Sequence, residues 1–300
     1  AILIDEYDSP LQHSWHTPEH EACTALYREV FAILKADDEM ECFVFITGIT
    51  KFTQISLFSV LNNLMNISFE PQYAAICGIT KQEIVDNVMP EVEQMAQMNG
   101  WTADETLERL KDFYDGYHFC DLNMVDVYNP FSLVNSLCQT RLRSYWAMSG
   151  ATSLLPKFVG DMEIRLNDFD HCSIDRFLLE TSDVTGGGPE LFLYQSGYLT
   201  IKSADEFGYI LGIPNEEVRQ ALNAMVLPAL TLRKQGDTVS LQANLYRQLG
   251  TGQLDEAKKL MRALIADVPY SNKKLASMDM EERYRLIIST ILQALGVRVE

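Results

Sequence analysis

No glycine in this 300-residue chain is followed by lysine, and that absence excludes more than any other. The loop G-x-x-x-x-G-K-[ST], whose backbone amides and lysine cradle nucleotide phosphates, therefore occurs nowhere in it. Long apolar runs are also missing: no stretch reaches about 18 uninterrupted apolar residues, so no membrane span is expected. Cysteine is sparse and scattered. Cys23, Cys42, Cys77, Cys120, Cys138 and Cys172 include no C-x-x-C pair, which points to reduced, mostly buried thiols and a cytoplasmic setting. Basic charge is short as well, 24 Lys and Arg against 42 Asp and Glu, for a formal net charge of −18. Such a surface repels phosphate backbones, so nucleic-acid binding is not expected of this segment. The first residues lack an initiator Met, a basic region and a small-residue cleavage site, and no signal peptide is read there.

What is present reads as ordinary globular material, 47% hydrophobic and 22% charged, long enough for two or three packed units. Residues 1–4 form a short apolar strand ending at Asp5. The run EACTALYREVFAILKAD (21–37) has helical periodicity, with Ala22, Leu26, Val30, Ile33 and Leu34 on one side. ECFVFITG (41–48) is a second apolar strand closed by Gly48. Strand, helix, strand, with both strands continuously apolar, predicts a parallel sheet covered on both faces. From about 79 to 155 the reading is mostly helical, opened by Thr80 with Glu83 as a capping box. The run 102–114 is another capped amphipathic helix. Gly186-Gly187-Gly188-Pro189 is the clearest breaker. Residues 191–222 read as helix end, strand, turn, strand and a helix capped at Asn215, and two helical segments follow, Leu254 to Ile265 and Met280 to Leu295.

The chemistry concentrates in LIDEYD. ATP hydrolysis needs one carboxylate to hold the water shell of Mg²⁺ and a second to orient or deprotonate the attacking water. Asp5 and Glu6, adjacent at the C-terminal end of a strand, have those positions, Asp5 as metal and cofactor ligand and Glu6 as catalytic base; the same pair also fits a solvated acidic turn. Thr47, Thr50 and Lys51, at the end of the next strand, are placed to sense a γ-phosphate, or form an ordinary strand-to-helix turn. Tyr114 to Phe119 reads as a helix C-terminus with Gly116 left-handed and its aromatics packed down, the alternative being a grip on a base or peptide. His13, His16, His20 and Glu21 have zinc-compatible spacing but no cysteine partners. Arg141 and Arg143 are candidate arginine fingers by position.

LIDEYDSPL, FVFITGITKFTQISLFSVLNNL, GITKQEI, YDGYHF, YNPFSL and YWAMSG, in that order, resemble the AAA-ATPase-like proteins fused to a PD-(D/E)XK nuclease-like domain, of the Bacteroidetes type. The resemblance implies a P-loop NTPase-like α/β core followed by a mainly α region. The expected regions are a partial core from the Walker B strand onward (1–70), a helical lid (71–155), a winged-helix-like connector (156–235), and helical hairpins leading into a truncated nuclease-like domain (236–300). It assigns Asp5 and Glu6 to the Walker B pair and places Thr47 and Lys51 in the block after the sensor strand, with ATP and Mg as cofactors. It also implies that the phosphate loop lies upstream of Ala1 and the nuclease carboxylates beyond Glu300, so the chain is expected to be a central fragment, inactive alone. The competing expectation is a non-catalytic scaffold for a protein partner or for self-association; a third is an ATP-controlled nuclease when intact.

Overall fold

The computed structural model describes residues 1–15, 17–49, 64–146, 169, 171–181, 188–222, 235–266, 279, 281, 284–285, 288–289 and 291–292. They form a mixed α/β structure that divides into two compact units, both discontinuous in sequence. One comprises Ala1–Met89, Asp115–Pro130 and His171–Pro214; the other comprises Pro90–Tyr114, Phe131–Asp170 and Asn215–Glu300.

The first unit begins with the predicted strand–helix–strand. Strand β1 (Ile2–Ile4) pairs in parallel with β2 (Val44–Ile46), with Ile2 opposite Val44 and Ile4 opposite Ile46. Between them lie α1 (Ser9–Ser14), with Pro10 in its first turn, and α2 (His20–Ala36). Helix α2 forms where the periodicity placed it, but it turns a different side inward. Phe31 is buried and Cys23, Tyr27 and Leu34 are half-buried, whereas Ala22, Leu26, Val30 and Ile33 face water. The cause is that the helix is apolar on two sides, and periodicity alone does not rank them.

A second layer of this unit starts at α3 (Lys81–Asn87). Its capping box is complete: Glu83 N donates to Thr80 Oγ1, and Thr80 N donates to Glu83 Oε2 at 2.8 Å. Strand β3 (Cys172–Asp175), helix α7 (Arg176–Thr181), helix α8 (Gly188–Gln195) and the hairpin β4 (Thr200–Ala204) with β5 (Gly208–Gly212) complete it. The hairpin makes an antiparallel sheet in the order β3-β5-β4, bulged between Ile201 and Ser203. Leu191, Phe192, Tyr198, Ile201, Tyr209 and Leu211 are its buried core. Phe69 stacks on Tyr194 and Tyr209, with ring centroids 6.3 Å apart in each pair. Burial raises the Tyr209 hydroxyl far above the ordinary phenol range, reinforced by its hydrogen bond to Glu180.

The second unit is helical. Helix α4 (Met89–Asn99) stops at Gly100, which has φ +71, and Trp101 N returns to Ala96 O at 2.9 Å in a C-terminal capping turn. Thr102 and Glu105 then cap α5 (Ala103–Tyr114) reciprocally. Helix α6 (Pro130–Gln139) starts on proline, whose missing N–H is no loss in a first turn. Val92, Met95, Leu110, Tyr114, Leu133, Tyr145 and Leu222 are buried here. Asn215 caps α9 (216–222), its Oδ1 accepting from Val218 N at 3.1 Å. Further on, α10 (Gln235–Gly250) and α11 (Leu254–Ala266) bury Leu245, Ala257 and Leu264 together with Ile291.

All six cysteines are free thiols, as their spacing implied, but only Cys120 is buried, and Cys42, Cys77 and Cys138 are exposed. No helix among the described residues is long and apolar enough to cross a membrane.

Candidate functional site

Two strand ends make the site. Parallel pairing puts the C-terminal ends of β1 and β2 side by side, so Asp5 and Thr47, 42 positions apart in sequence, meet. Thr47 N donates to Ile4 O at 2.8 Å and Tyr7 N donates to Thr47 O at 3.0 Å, which carries the ladder past the strands. The Thr47 hydroxyl donates to Asp5 Oδ1 at 2.6 Å, and Glu6 N donates to the same oxygen at 2.9 Å. Asp5 is exposed, and among the described residues no hydrogen bond reaches its Oδ2.

Glu6 follows in a left-handed conformation, φ +50. A non-glycine residue there carries strain of about 1–2 kcal/mol, which persists only where its surroundings impose it. The backbone is held on both sides, through Ile4 O and Tyr7 N, and Glu6 O accepts from Ser9 N at 2.9 Å. The Glu6 side chain is exposed, and among the described residues it has no side-chain partner.

Asp8 is the residue whose part sequence reasoning missed. It is 1% exposed, Oδ1 accepts from Ile49 N at 3.1 Å and Oδ2 accepts from Gln12 Nε2 at 2.5 Å. It thereby ties the acidic turn to the turn after β2. Gly48 fits the same junction, since a Cβ there would lie 2.5 Å from Tyr7 Cδ1 and still closer to Asp8 Oδ1. The available signal was the glycine directly after Thr47, which requires a close neighbour, and the short spacing from Asp5 to Asp8.

The donor set suits a hard divalent cation: a free carboxylate oxygen beside a hydroxyl and a second carboxylate, with no Lys or Arg before Arg28. Magnesium keeps several waters and is bound by one or two carboxylates together with substrate phosphates, and Asp5 is of the type that could be one such carboxylate. Among the described residues no group of three or more His, Cys, Asp and Glu is arranged to enclose a metal. Lys51 and Thr50, predicted as phosphate sensors, lie outside the described residues, as does His16. His13 and His20 face their own neighbours, Nδ1 lying 2.7 Å from Ser9 O and 3.0 Å from Ser14 Oγ respectively.

The other sequence candidates occupy structural positions. Gly116 has φ +87, and a Cβ on it would lie 2.5 Å from Pro214 O. Tyr114 and Tyr117 on either side are buried. His118 is clamped, N donating to Thr200 Oγ1 at 2.7 Å and Nε2 lying 2.6 Å from Asp126 Oδ1. Arg141 and Arg143 are exposed in the helical unit. Arg141 lines an open cleft of about 520 Å³ with Met98, Asn99, Gln139 and Thr140.

A family model described as a predicted AAA-ATPase matches residues 1–58, the stretch holding Asp5, Glu6 and Thr47. The chain is also similar to a protein of Azotobacter chroococcum mcd 1 named "Uncharacterized protein in vnfD 5'region". The two are 29% identical over 314 positions, covering 100% of this chain and 56% of the relative. The chain thus spans about half the length of the curated relative it matches. No solved structure matches it.

Proposed function

We propose that residues 1–49 provide the metal- and water-binding half of an ATP-hydrolysing site of the P-loop NTPase type. The hydrogen bond from Thr47 to Asp5 carries the reading, because it gives one carboxylate a fixed orientation at the shared end of two parallel strands. In α/β folds that edge is where phosphates lie. With its Oδ1 engaged by Thr47 and the Glu6 amide, Asp5 would hold the water shell of Mg²⁺ through its other oxygen, as a Walker B aspartate does. Magnesium, when bound with ATP, neutralises charge on the β- and γ-phosphates. Glu6, held outward by its left-handed backbone, orients the attacking water and accepts its proton. Thr47 stands where a γ-phosphate sensor is needed, and Lys51 is proposed for the same block.

The phosphate-gripping half is not encoded in these 300 residues, since no glycine precedes a lysine. On this reading ATP hydrolysis needs such a loop from outside these residues, and the 300 residues alone bind ATP·Mg weakly. The β4–β5 hairpin, which would be the wing, supports the reading of residues 156–235 as a winged-helix-like connector.

The test is phosphate release by the intact polypeptide, with Asp5→Asn and Glu6→Gln beside the parent. Both variants are expected to lose at least about 100-fold in turnover, Glu6→Gln retaining ATP binding and Asp5→Asn losing its Mg²⁺ dependence. Full turnover in either variant, or tight ATP binding by the 300-residue chain in calorimetry, refutes the assignment.

A further inference from the structure

The segment that follows α6, residues 140–146, is held by buried polar side chains of the helical unit. Ser136 Oγ donates to Arg141 O at 2.9 Å, and the Tyr145 hydroxyl donates to the same oxygen at 3.1 Å. The Tyr114 hydroxyl brackets Arg143, accepting from its N–H at 3.0 Å and donating to its carbonyl at 2.9 Å. Glu217 Oε1 accepts from Trp146 N at 2.8 Å. Ser136, Tyr114 and Glu217 are fully buried. Water satisfies the backbone of an ordinary surface loop, whereas fixing one with buried polar groups is costly.

Thr140 adds strain at the head of the segment. Its φ of +52 is left-handed, which a β-branched residue rarely adopts, at a helix end where glycine is usual. The Asn99 amide holds it there, donating to Thr140 O at 2.9 Å and to Met95 O at 2.8 Å. Strain that is kept beside a cleft points to a use for the geometry it imposes.

The cleft of about 520 Å³ lined by Thr140 and Arg141 lies where α4 and α6 both end, so the sign of its charge has to be decided. The carbonyls of those helix ends are already capped: Ala96 O by Trp101 N, Ser136 O by Arg141 N, and Leu137 O by Thr140 N. What remains is cationic. Arg141 and Arg143 are exposed, and among the described residues neither guanidinium has an ion pair or a hydrogen bond. Burial raises the Tyr145 phenol above its ordinary range, and the positive charges of Arg143 and Arg141 oppose that rise. Both charges therefore stand near the Tyr145 hydroxyl, which lies 3.4 Å from Gln139 Oε1 in the cleft wall.

We propose that this cleft binds the phosphate group of a small phosphate monoester, gripped by Arg141 and Arg143 with Gln139 Nε2 as a further donor. A dianion neutralises both guanidinium groups, and its terminal oxygens accept from their paired N–H groups. A carboxylate carries one charge and leaves one guanidinium unmatched. The volume is that of an ordinary small-molecule pocket. In a chain of net charge −18, two arginines without carboxylate partners on a braced loop give a local attraction that the rest of the surface opposes. The inference concerns the helical unit and does not depend on ATP turnover.

Calorimetry of the 300-residue chain tests it, with phenyl phosphate and inorganic phosphate as probes and ionic strength matched with chloride. One equivalent of phenyl phosphate binds, about fivefold more tightly than inorganic phosphate because the cleft also takes the ester group. Arg141→Gln combined with Arg143→Gln weakens phenyl phosphate binding at least about tenfold. The melting temperature stays unchanged, because both side chains face water. Arg141→Lys combined with Arg143→Lys keeps both charges but loses the planar forks, and binding weakens about three- to tenfold. The proposal is overturned if the parent binds phenyl phosphate no better than the double glutamine variant does. It is equally overturned if the double lysine variant binds as the parent does, which would reduce the site to unspecific charge attraction. Equal affinity for the two probes overturns the assignment to a monoester.

Discussion

The Asp8 carboxylate accepts a hydrogen bond from the Ile49 amide, 41 residues away, across the junction of two strand ends. Its other oxygen holds the Gln12 side chain, and the residue is 1% exposed. Removing a buried acceptor of this kind strands two donors. Asp8→Ala is expected to lower stability by about 2–3 kcal/mol in urea unfolding. Asp8→Asn retains one acceptor oxygen and loses less, about half as much.

Gly48 occupies the same junction and tests it from the opposite direction. Gly48→Ala adds one methyl against the Tyr7 ring and the Asp8 carboxylate. The neighbours cannot withdraw without breaking the Asp8 hydrogen bonds, so a loss of about 1–3 kcal/mol is expected. A melting temperature equal to the parent's would show that the junction is loose.

The elements around this junction were legible because their signals are local. Apolar runs gave β1 and β2, Thr80 with Glu83 gave a helix start, and Gly116 gave a left-handed turn, each with a fixed offset and a single physical cause. The parallel pairing followed from the helix between two continuously apolar strands. The inner face of α2 was not legible, since the Leu26 stripe and the Phe31 stripe have the same period and only tertiary packing separates them. Within the site, Asp5, Glu6 and Thr47 stand out by residue type at strand ends. The part played by Asp8 depends on a backbone amide 41 positions on, which carries no side-chain signature. Glu217 was hidden in a helix that reads as polar on one side, although its partners Ser132 and Trp146 are distant in sequence.

Glu6 separates stability from activity. Its φ of +50 favours glycine, so Glu6→Gly is expected to stabilise the fold by about 1 kcal/mol. The same substitution removes the carboxylate proposed to orient water, and ATP turnover by the intact polypeptide falls at least about 100-fold. Unfolding and phosphate release measured on one preparation give both halves. Turnover that survives in the glycine variant would remove Glu6 from the chemistry.

Thr47 is expected to act through Asp5. Thr47→Val keeps the β-branched shape and deletes the hydroxyl that donates to Asp5 Oδ1. Turnover should fall about 10- to 100-fold, with the Mg²⁺ concentration at half-maximal rate raised, because the carboxylate is no longer held in one orientation. Thr47→Ser restores the donor and should recover most of the rate. Equal loss in both variants would assign Thr47 a packing role instead.

Glu217 makes stability depend on pH in a sense opposite to most carboxylates. It is fully buried, Oε1 accepts from Ser132 Oγ at 3.0 Å and from Trp146 N at 2.8 Å, and among the described residues Oε2 has no hydrogen-bond partner. Burial raises its pKa above the ordinary glutamate value of 4.5, against the lowering effect of the Trp146 amide and the Ser132 hydroxyl. A carboxyl whose folded pKa is raised favours the folded state fully below the unfolded pKa, and that contribution is lost as pH rises through the folded value. Glu217→Gln keeps the acceptor oxygen and cannot ionise. The difference in unfolding free energy between variant and parent should therefore move in the variant's favour as pH rises from about 4.5 toward neutrality. Urea unfolding of both proteins across that window reads the difference directly, and the other carboxylates cancel in it. A difference that does not change with pH would show that Glu217 titrates alike in the folded and unfolded protein.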